Sequence, residues 1–62
     1  MSNEEKAIIY DQLIRESDRL QRENSKLKSE NAGNIPDSVQ HVINDNDRRI
    51  GILVERLKSL FS

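Results

Sequence analysis

Three leucines spaced seven residues apart constrain this chain more than any other feature. Leu13, Leu20 and Leu27 lie in one row along a helix, because seven residues make two turns of a slightly under-wound α-helix. A second row, three residues before each leucine, is mostly polar and continues one heptad further: Tyr10, Ser17, Asn24 and Asn31. In heptad notation the leucines take position d and the second row takes position a. This pattern is typical of a coiled-coil seam, which requires another helix to cover it.

The length and composition of the chain favour an extended helical protein over a globule with a thick core. The chain has 62 residues, of which 34% are charged and 34% hydrophobic, and it contains no cysteine and one histidine. A chain this short buries a small core, and without disulfides or a metal site its remaining route to stability is oligomerisation. We therefore predict one all-α domain over residues 1–62, with no cofactor and no metal.

The charges of the chain are balanced, which excludes a tail for binding polyanions and an acidic arm. Its formal net charge is −1, from 10 basic and 11 acidic side chains. No apolar run approaches the length of a membrane span, and the polar start MSNEEK lacks the basic and apolar regions of a secretory signal. We expect a cytoplasmic protein that has no membrane partner.

Start and stop signals divide the chain into two helices. Ser2 and Glu5 have the spacing of a capping box, which predicts a first helix over residues 3–31. Gly33 and Asn34 tolerate the left-handed conformation that ends helices, so residues 32–35 form the predicted loop. Pro36 suits the first turn of a helix, followed by further N-terminal capping from Asp37 and Ser38, so the second helix is predicted over 36–61.

The second helix has its own seam, and a short loop makes antiparallel packing on the first helix the default. One register sets Leu27 against Ile43 and Tyr10 against Leu60, and it also sets Asn24 against Asn46. A lone asparagine in an apolar seam costs about 1–3 kcal/mol, whereas two facing asparagines share hydrogen bonds and fix the register. The predicted seam consists of Tyr10, Leu13, Leu20, Asn24, Leu27, Ile43, Asn46, Ile50, Leu53, Leu57 and Leu60.

Two arrangements of this seam remain open. We favour an antiparallel helical hairpin with coiled-coil packing, two copies of which pair as a four-helix bundle. The alternative is a parallel dimer in which Asn24 meets the same residue of a second chain, with Glu23 and Lys28 in support. In the hairpin, extra apolar residues widen the seam at the end that holds both termini. The candidate docking residues there are Ile8, Ile9, Ile14, Ile52, Val54 and Phe61.

No constellation of residues in the sequence supports catalysis. His41 falls on the outer face of the second helix and has no second histidine or cysteine to join it. Asp45-Asn46-Asp47 resembles the start of a calcium loop. However, its sixth position is Ile50 instead of glycine, and its twelfth is Arg56 instead of a bidentate glutamate. We predict that the protein is not an enzyme.

One basic stripe suggests a second class of function. Arg15, Arg19, Arg22 and Lys26 share one face of the first helix and are candidate phosphate contacts, although acidic residues interleave with them. In size and two-helix pattern the chain is similar to the Rop family of RNA-binding plasmid copy-control proteins; this likeness of architecture includes no shared residue motif. We predict a small oligomerising interaction module (an adaptor, scaffold or assembly factor) that binds itself and another protein. The alternative is a nucleic-acid-binding regulator.

Overall fold

The computed structural model describes all 62 residues and consists of two α-helices joined by a short loop. Helix α1 spans Asn3–Glu30 and helix α2 spans Asp37–Phe61. The helices run antiparallel, because the side chains of Asn24 and Asn46 are hydrogen-bonded on the loop side of the helix midpoints and the rings of Tyr10 and Phe61 touch near the chain termini. The molecule measures 47 × 15 × 13 Å. The prediction of an all-α helical hairpin is confirmed.

The start of α1 is capped by the pair of residues that the sequence predicts, in a modified form. The Ser2 hydroxyl accepts a hydrogen bond from the Glu5 backbone N–H at 3.2 Å and donates one to the Glu5 carboxylate at 3.1 Å. The carboxylate therefore binds the hydroxyl of Ser2, whereas in a standard capping box it accepts from the backbone N–H of the capping residue. Glu4 and Glu5 also place negative charge at the positive end of the helix dipole.

Helix α1 ends one residue earlier than predicted, because Asn31 caps it. The backbone N–H of Asn31 donates to the Leu27 carbonyl at 3.2 Å, and its side-chain amide donates to the same oxygen at 2.8 Å. Gly33 then adopts φ = 95°, the left-handed conformation that glycine tolerates best, and the Asn34 N–H donates to the Asn31 carbonyl. This turn reverses the chain toward α2.

Helix α2 begins at Asp37, one residue later than predicted, with Pro36 as its N-cap. Pro36 is extended (φ −60°, ψ 151°), and its carbonyl accepts from the Gln40 N–H at 2.9 Å. No side chain caps this end, so the predicted capping by Asp37 or Ser38 is not observed. Asp37 contributes only its negative charge in the first turn, where it suits the helix dipole.

The hairpin buries only the middle of its own seam. Six of 62 residues are buried, and half of them are polar: Ser17, Leu20, Asn24, Ile43, Asn46 and Leu53. The other seam leucines and Ile50 are half-buried. The accessible surface is 4845 Å², roughly 700 Å² more than the area of about 4,100 Å² expected for a compact monomer of 7.2 kDa. The hairpin therefore exposes more surface than a compact monomer of this mass.

Candidate interaction surface

The buried centre of the seam is a hydrogen-bonded network around Asn24 and Asn46. The Asn46 amide donates to the Asn24 carbonyl oxygen at 2.9 Å, so the two asparagines face each other as the antiparallel register predicts. The Asn24 amide donates to the Asp47 carboxylate at 2.9 Å and to the Ile43 backbone carbonyl at 3.5 Å. The Asn46 amide also donates to the Glu23 carboxylate at 3.0 Å. No buried side-chain nitrogen or oxygen lacks a partner, so the polar centre is satisfied within one chain.

Sequence reasoning does not identify the two carboxylates of this network. From the sequence, Glu23 counts as support for a parallel dimer, and Asp47 is considered only as part of a calcium loop that the following residues exclude. Their positions in the sequence could identify them, because Glu23 directly precedes one seam asparagine and Asp47 directly follows the other. In an antiparallel pair these positions flank the seam, one on each side, where a carboxylate can accept from an amide across the helix interface.

The same two carboxylates define the two flanks of the hairpin. Asp47 borders α1 on one side of the seam, and Glu23 borders α2 on the other side. Steps of seven residues from these positions continue each flank along the molecule. The Ile14 flank consists of Ala7, Ile14, Gln21 and Lys28 on α1 and Gln40, Asp47, Val54 and Phe61 on α2. The Glu16 flank consists of Ile9, Glu16, Glu23 and Glu30 on α1 and Val42, Arg49 and Arg56 on α2.

The Glu16 flank is mainly charged, with carboxylates on α1 and guanidinium groups on α2. The pKa of Glu16 is lowered, first by its hydrogen bond to Arg19 and then by the positive charges of Arg19 and, across the helix interface, Arg49. Arg49 also forms an ion pair with Asp45 at 3.2 Å. The charges on this flank are therefore largely balanced within the chain, and the flank offers little apolar surface.

The terminal half of the Ile14 flank is apolar and open. The rings of Tyr10 and Phe61 meet edge to face, with their centroids 5.7 Å apart and their planes at 70°. Ile14 lies one turn after Tyr10, and Val54 lies two turns before Phe61, so helix geometry places all four on this side. Phe61 is 64% exposed, Tyr10 45% and Val54 37%. We name the set Tyr10, Ile14, Val54 and Phe61 the terminal apolar patch.

The structure separates the six predicted docking residues. Ile14, Val54 and Phe61 come together in the terminal apolar patch, whereas Ile9 lies on the Glu16 flank. Ile8 and Ile52 lie on the outer faces of their helices and are 60% and 49% exposed. The ring of Tyr10, which is predicted to pack against Leu60 in the seam, meets the ring of Phe61. The terminal end thus carries one apolar patch and three isoleucines outside it.

The predicted basic stripe lies on the outer surface of α1, and intrahelical ion pairs neutralise half of it. Arg15 pairs with Asp11 at 2.9 Å, and Arg19 pairs with Glu16. Arg22 and Lys26 are exposed and form no ion pair. Two of the four stripe residues are therefore free of ion pairs and available to a phosphate backbone, which is few for an electrostatic interface.

The surface holds no cluster of side chains that could bind a metal ion. His41 is exposed on α2, and no three His, Asp or Glu side chains are grouped so as to hold a metal ion. Neither helix combines the length and the apolar character needed to cross a lipid bilayer.

Comparison with known proteins leaves the fold and its surface as the basis for classification. No protein-family model, curated protein or solved structure matches this chain significantly. The structure defines a class: an antiparallel helical hairpin with a satisfied polar centre and an open apolar patch at its terminal end.

Proposed function

We propose that this chain is a non-enzymatic, self-associating interaction module, in which two hairpins pair as a four-helix bundle. The observation that carries the proposal is the terminal apolar patch, which is exposed although the centre of the same seam is closed and fully hydrogen-bonded. Apolar surface exposed in one contiguous patch is typical of an interaction site, since covering it removes the cost of hydrating it.

The area left open by the hairpin fits a second copy. The excess of roughly 700 Å² over a compact monomer is close to the ~800 Å² that each partner loses in an interface of standard size. Only three apolar side chains are buried in the single hairpin, Leu20, Ile43 and Leu53. Three such side chains offset little of the entropy lost on ordering two helices, so self-association supplies the missing burial.

The proposed module acts as an adaptor, scaffold or assembly factor. Pairing through the terminal apolar patch leaves the outer helix faces free, including the isolated Ile8 and Ile52. A second, different protein would dock on these outer faces by helix-face packing. Because two copies present each face twice, the bundle would hold two partner molecules in a fixed geometry.

The experiment that tests the proposal is solution mass by size exclusion with light scattering. Wild type should have twice the chain mass of 7.2 kDa. The double substitution Val54→Ser and Phe61→Ser should raise the dimer dissociation constant at least about tenfold, since it removes two exposed apolar contacts of roughly 1 kcal/mol or more each. Val42→Ser is the matched control, because Val42 is 44% exposed on the same helix but lies on the Glu16 flank. A helical wild-type monomer at high concentration would overturn the proposal.

The alternative class, a nucleic-acid-binding regulator, rests on Arg22 and Lys26, the two residues of the basic stripe that form no ion pair. Binding dominated by phosphate contacts weakens steeply as salt rises, whereas helix-face packing does not. A mobility-shift titration with RNA and DNA duplexes at two salt concentrations separates the two classes. We expect no complex at physiological salt. A complex that Arg22→Glu and Lys26→Glu abolish would favour the alternative.

A further inference from the structure

We infer that the two hairpins of the proposed bundle lie side by side with both loops at the same end, joined along their full Ile14 flanks. In this arrangement α1 of each copy lies beside α2 of the other, about a two-fold axis parallel to the helices. The inference rests on the proposed function, because it specifies how the second copy sits. The observation behind it is the order of residue types along the Ile14 flank, from apolar at the termini to polar at the loop.

The heights of residues in the hairpin follow from the hydrogen bond between Asn24 and Asn46. Along the hairpin axis, each residue of α1 lies level with the residue of α2 for which the two residue numbers sum to 70, as 24 and 46 do. An offset of one residue from this rule corresponds to 1.5 Å along the axis. A two-fold axis parallel to the helices preserves height, so the same rule applies between copies. Each α1 residue of the Ile14 flank then lies within about 3 Å, measured along the axis, of one α2 residue of the second copy.

The residues paired by this rule match in chemical type at all four levels. From the termini to the loop, α1 residues meet α2 residues of the second copy in the pairs Ala7–Phe61, Ile14–Val54, Gln21–Asp47 and Lys28–Gln40. The first two pairs are apolar, and the last two are polar. Asp47 uses one carboxylate oxygen for the Asn24 amide. Its second oxygen lies between the levels of Gln21 and Lys28 of the second copy, both of which carry donors.

An arrangement with loops at opposite ends matches these residue types poorly. If the two copies overlap along their full length, the two-fold axis is perpendicular to the helices and crosses the middle of the hairpin. Ala7 then lies near the level of Lys28 of the second copy, and Ile14 lies near the level of Gln21. Each apolar residue would face a polar one and lose most of the benefit of burial. If the copies are shifted until the terminal apolar patches overlap, the loop-proximal half of each hairpin has no partner. About half as much of the Ile14 flank is then buried. The same-end arrangement avoids both losses.

Distances between spin labels test the inference. The chain has no cysteine, so Ala32→Cys in the loop and Ser62→Cys at the terminus each accept one nitroxide label per chain. With loops at the same end, both variants should give pulsed dipolar distances of about 15–30 Å, the width of a four-helix bundle with its label linkers. Circular dichroism and light scattering of each labelled variant verify that it is helical and dimeric.

Each other outcome overturns the inference in a recognisable way. Distances near the molecular length of 47 Å for both labels would show opposite ends with complete overlap. A distance beyond about 50 Å for Ala32→Cys with a short distance for Ser62→Cys would show opposite ends with overlap at the termini only. Either result leaves the proposed dimer intact and rejects its geometry. Absence of a dipolar signal together with a monomeric mass would instead reject the dimer itself.

Discussion

The centre of the seam and the terminal end of the hairpin differ in chemistry as well as in burial. At the centre, Asn24 and Asn46 are almost fully buried, and each of them also donates to a carboxylate. At the terminal end, Val54 and Phe61 are apolar and at least one third exposed. The closed polar region fixes the register within one chain, and in the proposed dimer the open apolar region would supply the area for association.

The closed region is suited to selecting a register because its groups penalise misalignment. If α2 slid by one heptad in either direction, Asn24 would face an apolar side chain, Leu53 or Val39, and its buried amide would lose its partners, at about 1–3 kcal/mol. Asn46 would face a polar side chain in both cases. The apolar patch carries no comparable penalty, because leucine, isoleucine and valine side chains pack against one another in several ways. In the proposed dimer, register specificity and affinity would therefore depend on different residues, which can be altered separately.

The largest expected effect comes from breaking the closed region with Asn46→Leu. This change removes the donor to the buried Asn24 oxygen, so we expect the free energy of unfolding to fall by about 1–3 kcal/mol. The double substitution Asn24→Leu and Asn46→Leu removes both amides and should recover most of that loss, while registers that differ by a heptad become closer in energy. Urea unfolding followed by circular dichroism measures the stabilities, and light scattering measures any broadening of the mass.

The matched control for this pair is Asn44→Leu on the same helix. Asn44 is exposed, and its oxygen accepts only from the Gln40 side chain, so the change should stay within about 0.5 kcal/mol. If the double substitution at Asn24 and Asn46 destabilised the hairpin by the sum of the two single effects, the asparagines would be energetically independent. The proposed role of their contact in setting the register would then be wrong.

The seam pattern explains why the sequence predicts the closed region better than the open one. Heptad spacing and a short loop suffice to place Asn24 opposite Asn46, because the antiparallel register brings both asparagines together in one contact. Two helix ends differ from their predicted positions by one residue, since they depend on the amide of Asn31 and on the extended backbone of Pro36. Such local hydrogen bonding and backbone geometry have no periodic signal in the sequence.

The open region is harder to predict because apolar residue type alone does not show which side of the seam a residue flanks. Ile9, Ile14 and Ile52 all lie toward the terminal end, yet the structure places them on three different faces. Seam positions constrain the flanks only after the antiparallel register is known. The contact of Tyr10 with Phe61, one residue beyond the predicted Leu60, then identifies the apolar side.

Replacing a glycine by alanine should change the stability of the hairpin in opposite directions at the two glycine sites. Gly51 lies inside α2, and the methyl group that alanine would add there meets nothing within 4 Å, so Gly51→Ala should stabilise the helix by about 0.5–1 kcal/mol. Gly33 also has open space, but its φ of 95° strains any residue with a Cβ atom. Gly33→Ala should therefore destabilise the hairpin by about 1 kcal/mol. Thermal unfolding of both variants measures the difference. A loss of stability at Gly51 would indicate that another chain packs closely there.

The smallest expected effect concerns the charged flank and its dependence on pH. The pKa of Glu16 in the folded chain lies below its ordinary value of 4.5, chiefly because of the hydrogen bond to Arg19. A carboxyl whose pKa is lowered by folding adds stability above its ordinary pKa and loses that contribution as pH falls through the folded value. Unfolding of wild type between pH 7 and pH 3 should therefore show a small loss that Glu16→Gln lacks.

Glu30 is the matched control for this titration, because it lies two heptads later on the same row and forms no ion pair. Glu30→Gln should retain the acid-sensitive contribution of Glu16, whereas Glu16→Gln should flatten that part of the pH profile. Both variants should keep the mass of wild type at pH 7, since the charged flank lies on the opposite side of the seam from the terminal apolar patch. A change of mass in Glu16→Gln alone would mean that the Glu16 flank takes part in association, and the contrast between the two flanks would then be wrong.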